Sequence, residues 1–109
     1  MLFDKYELRY LPLFREELKE RALYIAVDLG NPKAADDLVD AVEEAIHERL
    51  KTNPEGFEPV PSKREPGVMY YRIYVKNYIV YYAVIEEDGR KLMEPRRLVH
   101  NREDRDTKI

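Results

Sequence analysis

A chain of 109 residues with 38% charged side chains, a net charge of -3 and no cysteine has room for one hydrophobic core, and it excludes a disulfide scaffold and thiolate chemistry. No apolar run approaches membrane-spanning length and no charged-then-apolar leader opens the chain, so one cytoplasmic domain over residues 1–109, without membrane contact, is expected. The charge is uneven: residues 1–60 carry 8 basic and 14 acidic side chains and residues 61–109 carry 11 and 8, a balance too mild for a protein that lives by non-specific nucleic-acid binding.

Tyr6 to Leu11 alternates polar and apolar residues and predicts a first strand, ended by Pro12. After that proline, Phe14, Leu18, Ala22, Ile25 and Leu29 recur at helical spacing, which predicts an amphipathic helix stopped by Gly30. Asn31 and Pro32 fit the N-cap and first position of a second helix, whose apolar stripe is Ala35, Leu38, Val39, Val42, Ile46 and Leu50. His47 lies off that stripe among glutamates and reads as surface. Two amphipathic helices joined by so short a link form an antiparallel hairpin whose apolar faces need a cover.

From Asn53 to Gly67, four prolines and two glycines predict a long irregular loop, which carries Lys63 and Arg64. The run from Met69 to Val84 holds six of the nine tyrosines and breaks at Lys76-Asn77, the pattern of a tight β-hairpin. Alternation puts Tyr71, Ile73 and Val75 on the core face and Tyr70, Arg72 and Tyr74 on the other, which is expected to be open. Lys91 to His100 reads as a last strand. Pro95 within it calls for an edge position or a bulge, which would disturb the alternation of Arg96 and Arg97. The charged tail from Asn101 to Ile109 is expected to fray. The expected fold is α+β: a helical hairpin on one face of a mainly antiparallel four-stranded sheet.

Four motifs then carry a resemblance: Tyr-Leu-Pro-Leu-Phe at 10–14, Asn-Pro-x-x-Ala at 31–35, Tyr-Arg-Ile-x-Val-x-Asn-Tyr-x-Val-x-Tyr at 71–82 and Arg-Leu-Val-His at 97–100. In this order they resemble the RelE/ParE superfamily of bacterial type II toxins. The resemblance implies a toxin held inactive by a cognate antitoxin. It also implies one of two activities, ribosome-dependent mRNA cleavage or poisoning of DNA gyrase, unless the chain is a detoxified homologue kept for antitoxin binding. Ile79 stands where mRNA-cleaving members commonly carry an arginine.

Metal-independent RNA cleavage needs a base for the 2'-hydroxyl, an acid for the leaving oxygen and cations for the phosphate. On that reading, the first expectation, Arg72, Arg97 and Arg102 stabilise charge and His100 moves the proton. Lys63 and Arg64 would reach RNA, with Tyr70, Tyr74 and Tyr78 as stacking rings. The expected partners are the antitoxin and either the ribosome with its mRNA or DNA gyrase. Each candidate also has a plainer role: the arginines as solvated sheet residues, His100 as a strand-end or antitoxin contact, the tyrosines as packing. With no nucleotide-binding loop and no metal-ligand cluster in the sequence, no cofactor and no metal are expected.

Overall fold

The computed structural model describes residues 6–103 and 105–109. Its first strand, β1 (Tyr6–Leu8), runs parallel to the last, β5 (Arg90–His100), with Tyr6 opposite Lys91 and Leu8 opposite Met93. The Arg9 and Leu11 N–H groups continue the extended run by donating to the Met93 and Pro95 carbonyls at 3.0 and 3.2 Å. Pro12 opens α1 (Pro12–Leu23), which buries Phe14 completely. Asn31 caps α2 (Pro32–Lys51) as expected, its side-chain oxygen accepting the Ala34 N–H at 3.1 Å.

α1 does not run regularly to Gly30. Its end widens into a π-turn, Tyr24–Asp28, in which the Leu29 N–H reaches back five residues to the Tyr24 carbonyl. The extra residue shifts the phase of the apolar stripe. Ile25 stays half-buried, but Leu29 is exposed. Gly30 then ends the helical run at a φ of 63°.

The sheet has five strands in the order β1-β5-β4-β3-β2 and is mixed, so the expected four-stranded sheet is corrected on strand number. The added strand is β2 (Val60–Pro61), inside the proline-rich loop and antiparallel to β3 (Met69–Val75), with Val60 opposite Tyr70. Pro61 is tolerated because β2 is an edge, where a missing N–H costs no ladder bond. β3 turns at Lys76-Asn77 into β4 (Tyr78–Glu87), the expected hairpin, and Lys76 takes a φ of 52° to close it.

β4 pairs with β5 along its whole length, with a register shift between Tyr81 and Tyr82. Tyr81 faces Arg97 and Tyr82 faces Pro95, so Arg96 is the extra residue of the bulge that Pro95 called for. The bulge is not at an outer strand, because β5 lies between β1 and β4. Beyond the end of β1, the side of β5 is closed by α1, where a Glu17 carboxylate oxygen accepts the Leu98 N–H at 2.9 Å.

The main core lies between the helices and one sheet face. Phe14, Leu38, Val42 and Ile46 pack there on Ile73, Val75, Val80, Tyr82, Met93 and Leu98. The opposite face is not open. Tyr70, Ile79, Tyr81 and Val99 form a second cluster on it, sealed by Ile109, which is 2% exposed. The tail expected to fray instead folds back. Residues Arg105–Lys108 make a 3-10 turn, and the main-chain oxygen of Ile109 accepts from the Lys63 and Arg64 N–H groups and the Ser62 hydroxyl. Its residue 104 lies outside the described residues. Burial of an isoleucine and three hydrogen bonds outweigh the ordering of a few charged residues.

Tyr82 is fully buried. Its hydroxyl donates to the Pro54 carbonyl at 2.6 Å and accepts from Arg49 at 2.8 Å. Burial pushes its pKa up to about 12, against the pull of Arg49. A raised folded pKa stabilises fully below the unfolded value near 10 and is lost as pH rises through the folded value. Thermal unfolding followed from about pH 9 to pH 12 is expected to show falling stability. The slope should be shallower in Tyr82→Phe.

Candidate functional site

The hairpin register brings Arg72, Tyr81 and Arg97 into one row across the outer face. All three are engaged there by the returning tail and by α1. Arg72 pairs with Asp106 at 2.5 Å, and the Tyr81 hydroxyl donates to the other Asp106 oxygen at 2.7 Å. Burial alone would pull the Arg72 guanidinium down, but the bonds to Asp106 and Tyr81 hold its pKa above the ordinary arginine value. Its buried Nε has no hydrogen-bond partner among the described residues.

Arg97 lies against Glu17, with bonds of 3.0 and 2.8 Å, and donates to the Lys108 carbonyl at 2.6 Å. The bulge keeps Arg96 on the same face as Arg97, where it bonds Glu94 at 2.9 Å and reaches the Tyr70 hydroxyl at 3.4 Å. Glu94 is also paired to Arg9, which reaches on to Glu87 at 3.3 Å. The outer face is therefore a row of matched ion pairs set around an apolar cluster.

His100 and Arg102 stand elsewhere. His100 is opposite Tyr78, whose partner on β3 is Val75, so all three share the helix face. The His100 ring meets the Tyr78 ring edge-on at 5.1 Å, and Arg21 lies over Tyr78 at 5.9 Å. His100 Nδ1 accepts the Arg102 N–H at 3.1 Å, which fixes the ring proton on Nε2. Its own N–H donates to Glu103. Partial burial raises the Glu103 pKa, but the His100 N–H with Arg21 and Lys108 outweighs it and leaves the carboxyl below its ordinary value.

The expected catalytic set is thus divided by the sheet, with Arg72 and Arg97 on one face and His100 and Arg102 at the other. The expected stacking tyrosines divide as well. Tyr70 is buried under the tail, Tyr78 belongs to the helix face, and Tyr74 alone of the three is exposed, at 61%. Lys63 and Arg64 have exposed side chains on a loop whose main chain is tied to Ile109. His47 is exposed, as read from the helical pattern.

What the sequence did not reveal is the cleft where His100 ends up. It lies between the π-turn, the hairpin tip and the turn after β5, has a volume of about 650 Å³, and is bordered by Arg21, Tyr24, Leu29, Lys76, Tyr78 and Arg102. A second groove of about 500 Å³ runs between α1 and α2, over Tyr10, Phe14, Leu18 and Val39, and its lining is largely apolar. No helix among the described residues is long and apolar enough to cross a membrane.

A two-helix hairpin on a mixed five-stranded sheet, with paired charges on the outer face and open grooves along the helices, defines a small α+β domain. Residues 8–105 match the family described as ParE toxin of type II toxin-antitoxin system, parDE. The chain belongs to this family, within the RelE/ParE superfamily, and the family implies an antitoxin partner. No curated protein matches the chain at a significant level.

Proposed function

We propose that this toxin arrests growth by binding a protein target, and that the target is DNA gyrase, as for ParE-like members of the superfamily, rather than by cutting mRNA. The observation that carries this reading is the separation of His100 from Arg72 and Arg97 by the thickness of the sheet. A proton-transfer group and the cations that hold a scissile phosphate must reach the same few atoms, at hydrogen-bond distances of about 3 Å. Arg72 and Arg97 are moreover already neutralised by Asp106 and Glu17. Ile79, where mRNA-cleaving members commonly carry an arginine, is wholly buried against Tyr81, Val99 and Ile109, which gives it a packing role.

The nuclease reading retains one favourable observation, the grouping of His100, Arg102 and Tyr78 around one cleft. Induction of the toxin in a bacterium, with translation and plasmid supercoiling followed together, separates the two. Gyrase-linked DNA breaks and filamentation, with translation continuing at first, are expected. Immediate loss of translation with mRNA cut inside ribosome-covered codons would replace this reading with the nuclease.

A further inference from the structure

We infer that the toxin engages its target through the face built by the π-turn, the hairpin tip and Arg102, and that the target segment seated there is acidic with an apolar anchor. The inference rests on the protein-target reading above and names its contact surface.

Two observations meet at this face. The first is apolar exposure. The widened turn leaves Leu29 59% exposed, and Tyr24, 50% exposed, borders the same cleft. A contiguous exposed apolar patch marks an interaction site, whereas scattered exposed leucines do not. A π-turn inside an α-helix is itself enriched at functional sites.

The second is charge. Elsewhere the cations of the sheet are matched: Arg9, Arg72, Arg90, Lys91, Arg96 and Arg97 each pair with a carboxylate. Lys76 and Arg102 border the cleft and make no ion pair among the described residues, while Asp37, the acid on its rim, is held by Lys33 at 3.4 Å. Complementarity to this rim is negative. The cleft gives an anchor somewhere to go, with the apolar Leu29 and the Tyr78 ring on its walls.

An acidic protein segment fits these features better than a nucleic-acid strand. Among the described residues, the face offers two cations without an ion pair beside the exposed Leu29 and Tyr24, and no continuous basic stripe of the kind a phosphate backbone requires.

The test compares three purified proteins in a gyrase supercoiling assay: wild type, the double variant Lys76→Glu/Arg102→Glu, and a control, Lys51→Glu/Arg90→Glu, that makes the same change in net charge on exposed cations elsewhere. Circular dichroism melting confirms that each is folded. The face variant is expected to need roughly tenfold more protein for half-inhibition, and the control to stay within about twofold of wild type. Leu29→Ser, which changes no charge, is expected to weaken inhibition as well. Wild-type potency in both face variants would overturn the inference while leaving gyrase as the target. A wild-type toxin without effect on gyrase would overturn the protein-target reading, and this inference with it.

Discussion

Replacing Glu94 with alanine is expected to lower the unfolding free energy by about 3 kcal/mol, a large share of what a domain of this size possesses. Glu94 is 2% exposed on the outer face of β5, and its carboxylate stands between the guanidinium groups of Arg96 and Arg9. Breaking a buried pair by removing one partner leaves the other charge desolvated without compensation, which is why the loss exceeds that of a surface ion pair several-fold. Arg96 is the partner that suffers. It is 15% exposed against 2% for Glu94, and without that carboxylate keeps, among the described residues, the Tyr70 hydroxyl at 3.4 Å and Glu65 at 3.5 Å. Arg9 is half-exposed and can turn to Glu87 and water, which places the expected value at the lower end for buried pairs. Urea unfolding with an unchanged slope would measure it, and a loss below about 1 kcal/mol would show that Glu94 behaves as a surface charge.

Ile109→Ala is expected to cost about 2–3 kcal/mol, the lower part of the range for truncating a buried aliphatic side chain. Ile109 closes the cluster of Tyr70, Ile79, Tyr81 and Val99, and its main-chain oxygen fastens the loop at Ser62, Lys63 and Arg64. Loosening it frees the tail that brings Asp106 to Arg72 and the Lys108 carbonyl to Arg97. The stability loss should therefore come with faster hydrogen exchange at the Lys63 and Arg64 amides, while the amides of α2 follow only the global change. Unchanged stability and unchanged exchange would mean that the tail contributes nothing to closing the outer face.

The elements that were legible in the sequence are those set by local chemistry. Asn31-Pro32 marks a helix start because a capping oxygen and a fixed φ act within one turn. Lys76-Asn77 marks a hairpin because two strand-like runs flank a two-residue break. Pro95 called for an edge position or a bulge because it cannot donate to a ladder, and on the interior strand β5 it is the bulge that forms. The π-turn was not legible. Ile25 and Leu29 keep perfect helical spacing, and only the three-dimensional path shows that the turn between them is widened.

Closure of the outer face was hidden for a different reason. Nothing in the polar composition of Asn101 to Lys108 signals that one isoleucine at the far end finds an apolar cluster assembled from β3, β4 and β5. β2 escaped notice because a two-residue strand, Val60 and Pro61, carries no periodicity. For the candidate site, alternation along a strand gives faces only within that strand. That His100 lies on the helix face follows from its pairing with Tyr78 across two strands, which is a property of register.

The central claim, a toxin that acts on a protein and not on RNA, is tested most directly by adding the purified protein to two reconstituted systems. One holds gyrase, ATP and relaxed plasmid, the other ribosomes programmed with a defined mRNA. Inhibited supercoiling with trapped gyrase–DNA cleavage complexes, and intact mRNA at the same toxin concentration, is the predicted result. Cleavage of the mRNA in the ribosomal A site, with gyrase unaffected, would contradict it.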